Sequence, residues 1–384
     1  MTATTTDLYG IPEELADLRT NIRRLARERI APRAAEIDRK AEYPWDVREL
    51  LADHDVLALP FDEDYGGTGT GTLMLQMAVE AIASVCASSA LILMVQELGT
   101  LPIQLFGSDE QKQKWLPRCA SGELSPAFAL SEPEAGSDLS ALRTSAVWSD
   151  ESGEWVINGQ KNWITNAGVA DFYIVFAKTD IENGRLSAFI VEADRPGFAP
   201  GQLEHKLGIK GSPTGNPSFT DVRVPAENLI GVEGKGMSLA LGTLQRTRLS
   251  AAAQAVGIAQ GATDYAAHYA RERVAFGKPI NAMQGIQFKL ADMETRTAAA
   301  RELLYKACAM VDRNEPQVAK YSSMAKLFAS DTAMAVTIEA IQVLGGYGYV
   351  NEYPVERMMR DAKITQIYEG TNEIQRVIIA RTMK

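Results

Sequence analysis

Glu369 stands between an aromatic ring and a glycine in the segment IYEGTNEIQR, residues 367–376. A carboxylate one residue before a glycine can be held by a tight turn against a ligand, because glycine lets the backbone approach closely. A purely structural explanation is open for the residues that follow, since Thr371 is a suitable helix N-cap and Glu373 suits a first helical turn. That explanation does not cover Glu369, which is therefore the candidate for acid–base chemistry.

Hydroxyl groups are concentrated in ALSEPEAGSD, residues 129–138. The hydroxyls of Ser131 and Ser137, the backbone at Gly136 and a strand edge can donate hydrogen bonds to a planar heterocycle and to phosphate. Neutral donors of this kind suit a tightly bound heterocyclic cofactor. An ordinary serine-rich turn would use the same residues, and this alternative stays open.

A second segment, NGQKNWITNAG at residues 158–168, pairs an aromatic ring with a hydroxyl. Trp163 and Thr165 flank Ile164, so a strand here would place both on one face. The two side chains would then form a wall for a flat ligand. A tryptophan beside a threonine is also typical of a protein core, so the pattern alone does not decide between wall and core.

The glycine-rich stretch LGGYGYV, residues 344–350, follows a helical pattern rather than a strand. No GxGxxG fingerprint follows a predicted strand, so a Rossmann dinucleotide fold is unsupported. The glycines fit an ordinary helix C-cap. They would equally let the main chain approach a cofactor, and both roles are compatible.

The composition excludes several classes of protein. The chain has 384 residues, of which 46% are hydrophobic, enough for one large core or two to three smaller ones. A balance of 39 basic and 49 acidic residues gives a net charge of −10 and argues against a general nucleic-acid binder. The cysteines and histidines show no metal-like pairing and no CxxC, so we expect a reducing compartment and no structural metal; they are Cys86, Cys119, Cys308, His54, His205 and His268.

Targeting signals are absent from the sequence pattern. The N-terminal segment lacks the apolar region of a secretory signal, and its interspersed acids speak against a transit peptide. No uninterrupted apolar run approaches the length of a membrane span. The sequence therefore predicts a soluble, cytoplasmic protein.

Periodicity predicts three regions in the order helical, β, helical. Apolar residues recur at helical spacing through about residue 120. From about residue 125, short β-branched and aromatic runs alternate with Gly, Asn and Asp turns, as expected of strands. Helical periodicity returns after FTDVRVPAENLIG, residues 219–231. There is no internal repeat and no low-complexity linker.

This order and its motifs resemble the acyl-CoA dehydrogenase family over nearly the whole chain. The motifs are ALSEPEAGSD, NGQKNWITNAG, RERVAFGKPI at residues 271–280, IQVLGGYGYVNEYPVERMMRDAKI at 341–364, and IYEGTNEIQR. The resemblance implies an α+β fold with an N-terminal helical domain at residues 1–122. It further implies a middle, barrel-like β-sheet domain at 123–233 and a C-terminal four-helix bundle at 234–384.

The resemblance also assigns residues to FAD and to the acyl-CoA substrate. It implies that the flavin ring contacts Phe128, Leu130, Ser131, Trp163, Ile164 and Thr165, and that Thr371 and Glu373 also contact the cofactor. From a neighbouring subunit, the residues expected at the cofactor are Arg273, Phe276, Gln284, Gln342, Gly345 and Gly346. The residues expected at the substrate are Gly136, Ser137, Arg248, Tyr368 and Gly370.

Glu369 resembles the catalytic base of the family. Such a base, desolvated so that its pKa is raised, takes the α-proton of the thioester while the β-hydrogen leaves as hydride to the flavin, giving a trans-2-enoyl-CoA. Some members carry the base on the helix that here reads TLQRTRLSAA, but the position before Arg248 is Thr247, which has no carboxylate. Gln245 stands where several relatives have an acid. On local grounds alone, Arg248 would be an exposed helix arginine.

RERVAFGKPI places Arg273 and Phe276 three residues apart, and we expect them on one side of a helix end. There a guanidinium can meet pyrophosphate and a ring can lie against the flavin or adenine. A basic helix terminus capped at Gly277 and stopped by Pro279 is the alternative. The resemblance implies that this segment reaches the cofactor of a neighbouring subunit in a homotetramer built as a pair of dimers.

The resemblance implies an enzyme of fatty acid β-oxidation that passes electrons to electron-transfer flavoprotein. A short to medium acyl chain, straight or singly branched, is the expected substrate, although one methylene is worth only roughly 1–3 kcal/mol of discrimination. Two alternatives remain: an acyl-CoA oxidase using O₂, and a catalytically silent acyl-CoA-binding relative. The retained Glu369 counts against the silent relative, and the compact length counts against the oxidase.

Overall fold

A computed structural model describes residues 13–383 of the chain, which divide into two compact units. Unit 1 holds residues 13–36, 70–90 and 248–383, and unit 2 holds residues 37–69 and 91–247. The helical, β, helical order expected from the periodicity is confirmed, and the fold is α+β. The three-domain boundaries suggested by the resemblance stay a prediction.

Eleven α-helices lie within the described residues, and the longest belong to the C-terminal half. They are α1 Glu13–Leu25, α2 Ala34–Lys40, α3 Trp45–Asp53, α4 Gly71–Ala83, α5 Ala87–Phe106, α6 Asp109–Ala120, α7 Gly236–Glu272, α8 Gln284–Asp312, α9 Val318–Leu344, α10 Pro354–Ile364 and α11 Asn372–Arg381. Within unit 1, α9 packs against α8, α10 and α11. The helices that hold Glu369 in place are therefore built around α9.

Small residues let α7 lie directly on the end of α4 in unit 1. A Cβ added at Gly257 would meet the Glu80 carbonyl oxygen at 2.4 Å, and one added at Gly261 would meet the Ser84 carbonyl oxygen at 2.0 Å. Both distances are shorter than any ordinary van der Waals contact. The two glycines, one helical turn apart, are thus required for backbone-to-backbone packing.

Unit 1 also buries a charged cluster. Glu80 on α4 accepts hydrogen bonds from Arg301 Nε at 2.8 Å and from Tyr305 Oη at 2.8 Å, both on α8. Burial raises the pKa of Tyr305 and the adjacent Glu80 carboxylate raises it further, so the phenol stays a donor. The cluster joins α4 to α8 by hydrogen bonds that satisfy the buried carboxylate.

Unit 2 is built on an eight-stranded sheet with the order β10-β6-β5-β2-β3-β9-β7, with β1 pairing in parallel with β5. Its strands are β1 Pro126–Ala129, β2 Ser145–Ser149, β3 Glu154–Gln160, β5 Phe172–Asp180, β6 Arg185–Glu192, β7 Phe198–Ala199, β9 Ser218–Pro225 and β10 Leu229–Ile230. A small sheet in unit 2 pairs β4 Ile164–Thr165 with β8 Thr214–Gly215. A small sheet in unit 1 pairs β11 Val274–Ala275 with β12 Lys278–Pro279.

Strands β5 and β6 are buried on both faces over residues 172–177 and 186–191. Residues Phe172, Ile174 and Phe176 of β5 pack into one core cluster, while Tyr173 and Val175 pack into another. Alternating side chains of a strand point to opposite faces, so a strand covered on both sides has no polar positions. This burial fixes β1, and with it the start of the ALSEPEAGSD segment.

Among the residues that the structure describes, two helices pass the length and composition test for a membrane span, Ala87–Phe106 and Val318–Tyr349. Of the apolar window in each, 78% and 50% respectively is buried within the fold. Core helices of soluble proteins pass the same test, because the small and apolar residues that fill a core also raise hydropathy. The sequence pattern alone had suggested no such segment.

Candidate active site

Glu369 lies in a strained turn between α10 and α11 in unit 1. Its φ is +55°, a left-handed conformation that non-glycine residues adopt at a cost, and Gly370 follows with φ +85°. The side chain is half-buried. Tyr368, one residue earlier, donates its hydroxyl to Gln254 Oε1 on α7. The turn therefore aims a carboxylate in a direction that a regular helix end would not provide.

The carbonyl groups of this turn are held by side chains of unit 1. Gln375 Nε2 donates to the carbonyl oxygen of Glu369 at 3.1 Å and to that of Gly370 at 2.8 Å. Lys326 Nζ on α9 donates to the same Gly370 oxygen at 2.8 Å. Because both carbonyls are occupied, the peptide planes on either side of Gly370 are fixed, and so is the backbone of Glu369.

Arg248 is buried, with 6% of its surface exposed, so the expectation of an exposed helix arginine is wrong. Its Nη1 donates to Ser323 Oγ at 2.8 Å and to Gln375 Oε1 at 3.0 Å. Burial lowers the pKa of Arg248, and the Glu369 carboxylate opposes that lowering. The arginine thus orients Gln375, and its positive charge interacts electrostatically with Glu369.

The helix-cap explanation for the end of the motif is confirmed. Thr371 is the N-cap of α11, and its hydroxyl accepts from the backbone N–H of Ile374 at 3.4 Å. Glu373 lies exposed in the first turn, where hydrogen bonding from the helix N-terminus lowers its pKa. The roles of these two residues at a cofactor stay predictions.

In unit 2, a buried ion pair joins the two motifs that the sequence associates with a flavin. Lys161 Nζ donates to Glu132 Oε1 at 2.8 Å and to the Leu130 carbonyl oxygen at 3.1 Å. The backbone N–H of Asn162 donates to the carbonyl oxygen of Ser131 at 2.9 Å. These bonds hold Ser131 beside residues 161–163, so segments far apart in sequence are brought together.

Both members of this pair are desolvated, and their pKa values reflect it. Burial lowers the pKa of Lys161 to about 8, with Glu132 opposing the shift. Burial alone would raise the pKa of Glu132, but Lys161 and hydrogen bonds from residues 143 and 144 lower it below its usual range. The pair is ionised at neutral pH.

Trp163 is exposed over 59% of its surface, so the core alternative for its ring is wrong. Its φ is +61°, and strand β4 begins only at Ile164, so the expected three-residue strand is shorter than predicted. Ile164 is buried while Trp163 and Thr165 are not, as the alternation required. The ring therefore forms an open, flat apolar surface, and Ile164 offers a ligand only its backbone.

The remaining unit 2 residues differ in accessibility. Phe128 and Leu130 belong to a buried core cluster, and Phe128 packs against Phe176 with ring centroids 5.0 Å apart. Gly136 and Ser137 are exposed, beyond a tight turn in which Glu132 and Ala135 exchange backbone hydrogen bonds. The serine-rich stretch is thus a turn, with its hydroxyl at Ser137 facing solvent.

The segment RERVAFGKPI forms a hairpin, so the expectation that Arg273 and Phe276 share one side of a helix end is wrong. Helix α7 ends at Glu272, and β11 and β12 pair across Phe276 and Gly277, with φ of +53° and +75°. A two-residue turn with both φ values positive matches the twist of the strands. Phe276 stands at the tip with 93% of its surface exposed.

The hairpin and the glycine turn after α9 line one apolar cleft of about 580 Å³ within unit 1. Its lining includes Arg273, Phe276, Gly345 and Gly346. The Arg273 guanidinium lies over the Tyr347 ring, 5.2 Å from its centroid. Gly345 is the C-cap of α9, which confirms the helix C-cap role predicted for the LGGYGYV stretch. Gln284 on α8 and Gln342 on α9 are both exposed.

Sequence reasoning missed the side chains that support these segments: Glu132, Lys161, Lys326 and Gln375. The available signal was a charge within a run of small or apolar residues, as for Lys326 in SSMAKLFAS. A lysine in such a run is buried only if acceptors are supplied by distant residues. Those acceptors are the Leu130 and Gly370 carbonyls and the side chains of residues 132 and 372.

Comparison with known proteins identifies the class. Residues 12–123 match the acyl-CoA dehydrogenase N-terminal domain, 127–222 the middle domain and 234–384 the C-terminal domain. The chain is 46% identical to an acyl-CoA dehydrogenase of Bacillus subtilis over 374 residues, 97% of this chain and 98% of the relative. The chain belongs to the acyl-CoA dehydrogenase family and is an oxidoreductase.

Solved structures agree with this assignment. The butyryl-CoA dehydrogenase of Megasphaera elsdenii superposes with a TM-score of 0.94 at 43% identity, covering 97% of this chain and 98% of that one. An acyl-CoA dehydrogenase of Bacillus anthracis, solved in complex with FAD, superposes with a TM-score of 0.91 at 34% identity, covering 97% and 67%.

Proposed function

We propose that the protein is an FAD-dependent dehydrogenase that converts a short to medium acyl-CoA, straight or singly branched, to the trans-2-enoyl-CoA. The observation that carries the proposal is the Glu369 turn: a carboxylate in a left-handed conformation, with both adjacent carbonyls held and Arg248 interacting with it electrostatically. A solvent-facing glutamate needs none of these supports. A base that must keep one orientation needs all of them.

The residues of unit 2 fit a flavin. Trp163 presents a flat, exposed ring in a strained conformation, and strain that persists in a folded protein is a marker of function. Ser131 and Thr165 supply hydroxyls on partly exposed backbone beside it. We assign the flavin ring to Ser131, Trp163 and Thr165, to the backbone of Ile164 and to the edge formed by Phe128 and Leu130. When bound, FAD supplies the acceptor for the β-hydride.

Glu369 then acts on the α-proton of the substrate. Its carboxylate accepts that proton, while its backbone N–H donates to the thioester oxygen and so stabilises the charge that develops there. The substrate contacts are assigned to Tyr368, Gly370, Arg248, Gly136 and Ser137. Of these, Gly136 and Ser137 lie exposed on a turn, as required of residues that meet a ligand from solvent.

Replacing Glu369 with glutamine tests the role of the base. The amide is nearly isosteric but cannot accept the proton, so anaerobic reduction of the flavin by butyryl-CoA should slow by about 10²-fold or more. Glu352→Gln is a matched control, because Glu352 is an exposed glutamate of the same unit to which no cofactor or substrate contact is assigned. A variant at position 369 that reduced its flavin at the wild-type rate would show that the base lies elsewhere.

Electron-transfer flavoprotein is the proposed acceptor. Exclusion of water and O₂ from a closed active site protects a reduced cofactor from side reactions. Steady turnover with butyryl-CoA in air should therefore produce little peroxide, and added electron-transfer flavoprotein should be reduced. Peroxide formed in equal amount to enoyl-CoA would support the oxidase instead.

The cleft of unit 1 is assigned to the cofactor of a neighbouring subunit in a homotetramer of paired dimers. Phe276 is an almost fully exposed aromatic ring, and Arg273, Gly345 and Gly346 line the same cleft. Gln284 and Gln342 are assigned to the same cofactor contact. Each cofactor should then stabilise the assembly that binds it. Thr371 and Glu373 are assigned to the cofactor through the N-terminus of α11, which favours negative charge.

Arg273→Ala should lower both FAD retention and the tetramer fraction, because the guanidinium is the only cation that lines the cleft among the described residues. Arg271→Ala, an exposed arginine two residues earlier, is the control. Light scattering coupled to size exclusion, with the flavin absorbance recorded, measures both quantities. A stable monomer with full FAD would refute the shared site.

The proposal also includes a cytoplasmic location and a role in fatty acid β-oxidation.

A further inference from the structure

Lys326 on α9 forms hydrogen bonds to the turn that carries Glu369. Its side chain has no surface exposed, and Nζ donates to the Gly370 carbonyl oxygen at 2.8 Å and to Asn372 Oδ1 at 2.9 Å. Ser330, one helical turn further along α9, bonds to the same Asn372 at 2.9 Å. Burying an ammonium group is costly unless hydrogen-bond acceptors are supplied. The burial of Lys326 at this turn therefore calls for an explanation.

The charged and titratable groups around the turn come from every element packed against it. They are Arg248 on α7, Lys326 and Asp331 on α9, Asp361 on α10, Tyr368 and Glu369 in the turn, and Glu373 on α11. Burial lowers the pKa of Lys326 to about 7, Glu369 opposes this shift and Arg248 adds to it. Glu369 therefore acts on Lys326 as an opposite charge.

We propose that Lys326 is a positioning residue for Glu369. It fixes the Gly370 carbonyl, which keeps Glu369 in its left-handed conformation, and its positive charge favours the ionised carboxylate that accepts the substrate proton. Gln375 donates to the same Gly370 carbonyl and to that of Glu369, but it is neutral, so it cannot replace the electrostatic part of this role. The inference rests on the proposed function of Glu369 as the base.

Two substitutions separate the hydrogen bond from the charge. Lys326→Met keeps the length and removes both, while Lys326→Gln keeps a donor and removes the charge. Lys320→Met, the same change six residues earlier on α9, is the control. In FAD-saturated enzyme, Lys326→Met should lower the rate of flavin reduction by butyryl-CoA by roughly 10- to 100-fold, the range for losing a hydrogen bond from a charged group. KM should change little, because Lys326 touches no assigned substrate contact other than Gly370.

The pH profile of kcat/KM distinguishes this role from a purely structural one. A cation beside a carboxylate favours its ionised form, so both position 326 variants should move the acid limb of the profile to higher pH. An acid limb that stays at the wild-type pH in Lys326→Gln would overturn the proposal, even if the rate had fallen.

A second readout does not depend on turnover. Hydrogen exchange of residues 366–375 in the FAD-saturated protein without substrate should be faster in Lys326→Met than in Lys320→Met, since the turn loses one of its two anchors. If Lys326→Met does not fold, the pH profile of Lys326→Gln decides the question alone. Should Glu369→Gln retain full activity, the proposed function fails. Should it be inactive while both position 326 variants match the wild type, only the inference about Lys326 fails.

Discussion

The buried Lys161–Glu132 pair offers the sharpest test of how unit 2 holds its flavin-associated segments. Lys161→Met keeps the length of the side chain but removes the ammonium group. Glu132 would keep only the N–H groups of Arg143 at 2.6 Å and Thr144 at 3.0 Å, and the Leu130 carbonyl would lose its donor. An uncompensated carboxylate would then remain buried where it now has 5% exposure.

The expected loss is large because only one partner is removed. Breaking a buried ion pair on one side costs about 3–5 kcal/mol, most of it the desolvation of the remaining charge. The size of unit 2 falls within the range of about 150–250 residues. For a domain of that size, this loss of stability corresponds to a fall in melting temperature of roughly 6–20 °C. The double variant Lys161→Met/Glu132→Gln should lose less than the sum of its single changes, since contacting residues are coupled by about 0.5–3 kcal/mol.

Thermal melting of the FAD-free protein at pH 7, followed by tryptophan fluorescence and far-UV circular dichroism, measures these differences. Lys235→Met is the control, because Lys235 is exposed and belongs to the same unit. It should stay within about 0.5 kcal/mol of the wild type. If Lys161→Met melted with the control, or if the double variant were fully additive, the pair would not be the support that its geometry indicates.

Two further outcomes follow from the same structure. Gly370→Ala should slow flavin reduction with FAD content unchanged, because φ at this position is +85° and the new Cβ would lie 2.8 Å from Gln375 Nε2. Stopped-flow kinetics measures the reduction rate and flavin absorbance measures the FAD content. A wild-type reduction rate would contradict the prediction. Because the pKa of Glu132 is lowered in the folded chain, its stabilisation is present above its unfolded pKa of about 4.3 and is lost as the pH falls through the lower folded value. The difference in melting temperature between the wild type and Glu132→Gln should therefore shrink on acidification. A difference that stayed constant from pH 7 to pH 3 would contradict this interpretation.

Local patterns in the sequence were sufficient for the class of fold and for singling out Glu369 as the proposed base. Periodicity separates helices from strands because apolar side chains must face a core every 3.6 or every two residues. Thr371 was read correctly as an N-cap, since that role depends only on the next three residues. Glu369 stood out because its neighbours, an aromatic ring and a glycine, do not suit an exposed helix start.

Other assignments failed where a short pattern fits two backbones. RERVAFGKPI has the residues of a basic helix end, but Phe276 and Gly277 both take positive φ, which turns the chain into a hairpin. Trp163 was compatible with a core or a ligand wall, and its own positive φ places the ring outside. Arg248 reads as a surface arginine until its acceptors are known.

The sequence by itself therefore determined the order of elements and the family, and it singled out Glu369 as the proposed base. Each of these rests on motifs whose residues lie close together in the chain. The tertiary structure alone decided which charges could be buried. Lys326 meets Gly370 across 44 residues and Lys161 meets Glu132 across 29, and each lysine is tolerated only because those acceptors arrive from another element. A buried charge is stable only with such partners, and no local pattern records where a distant backbone carbonyl will lie.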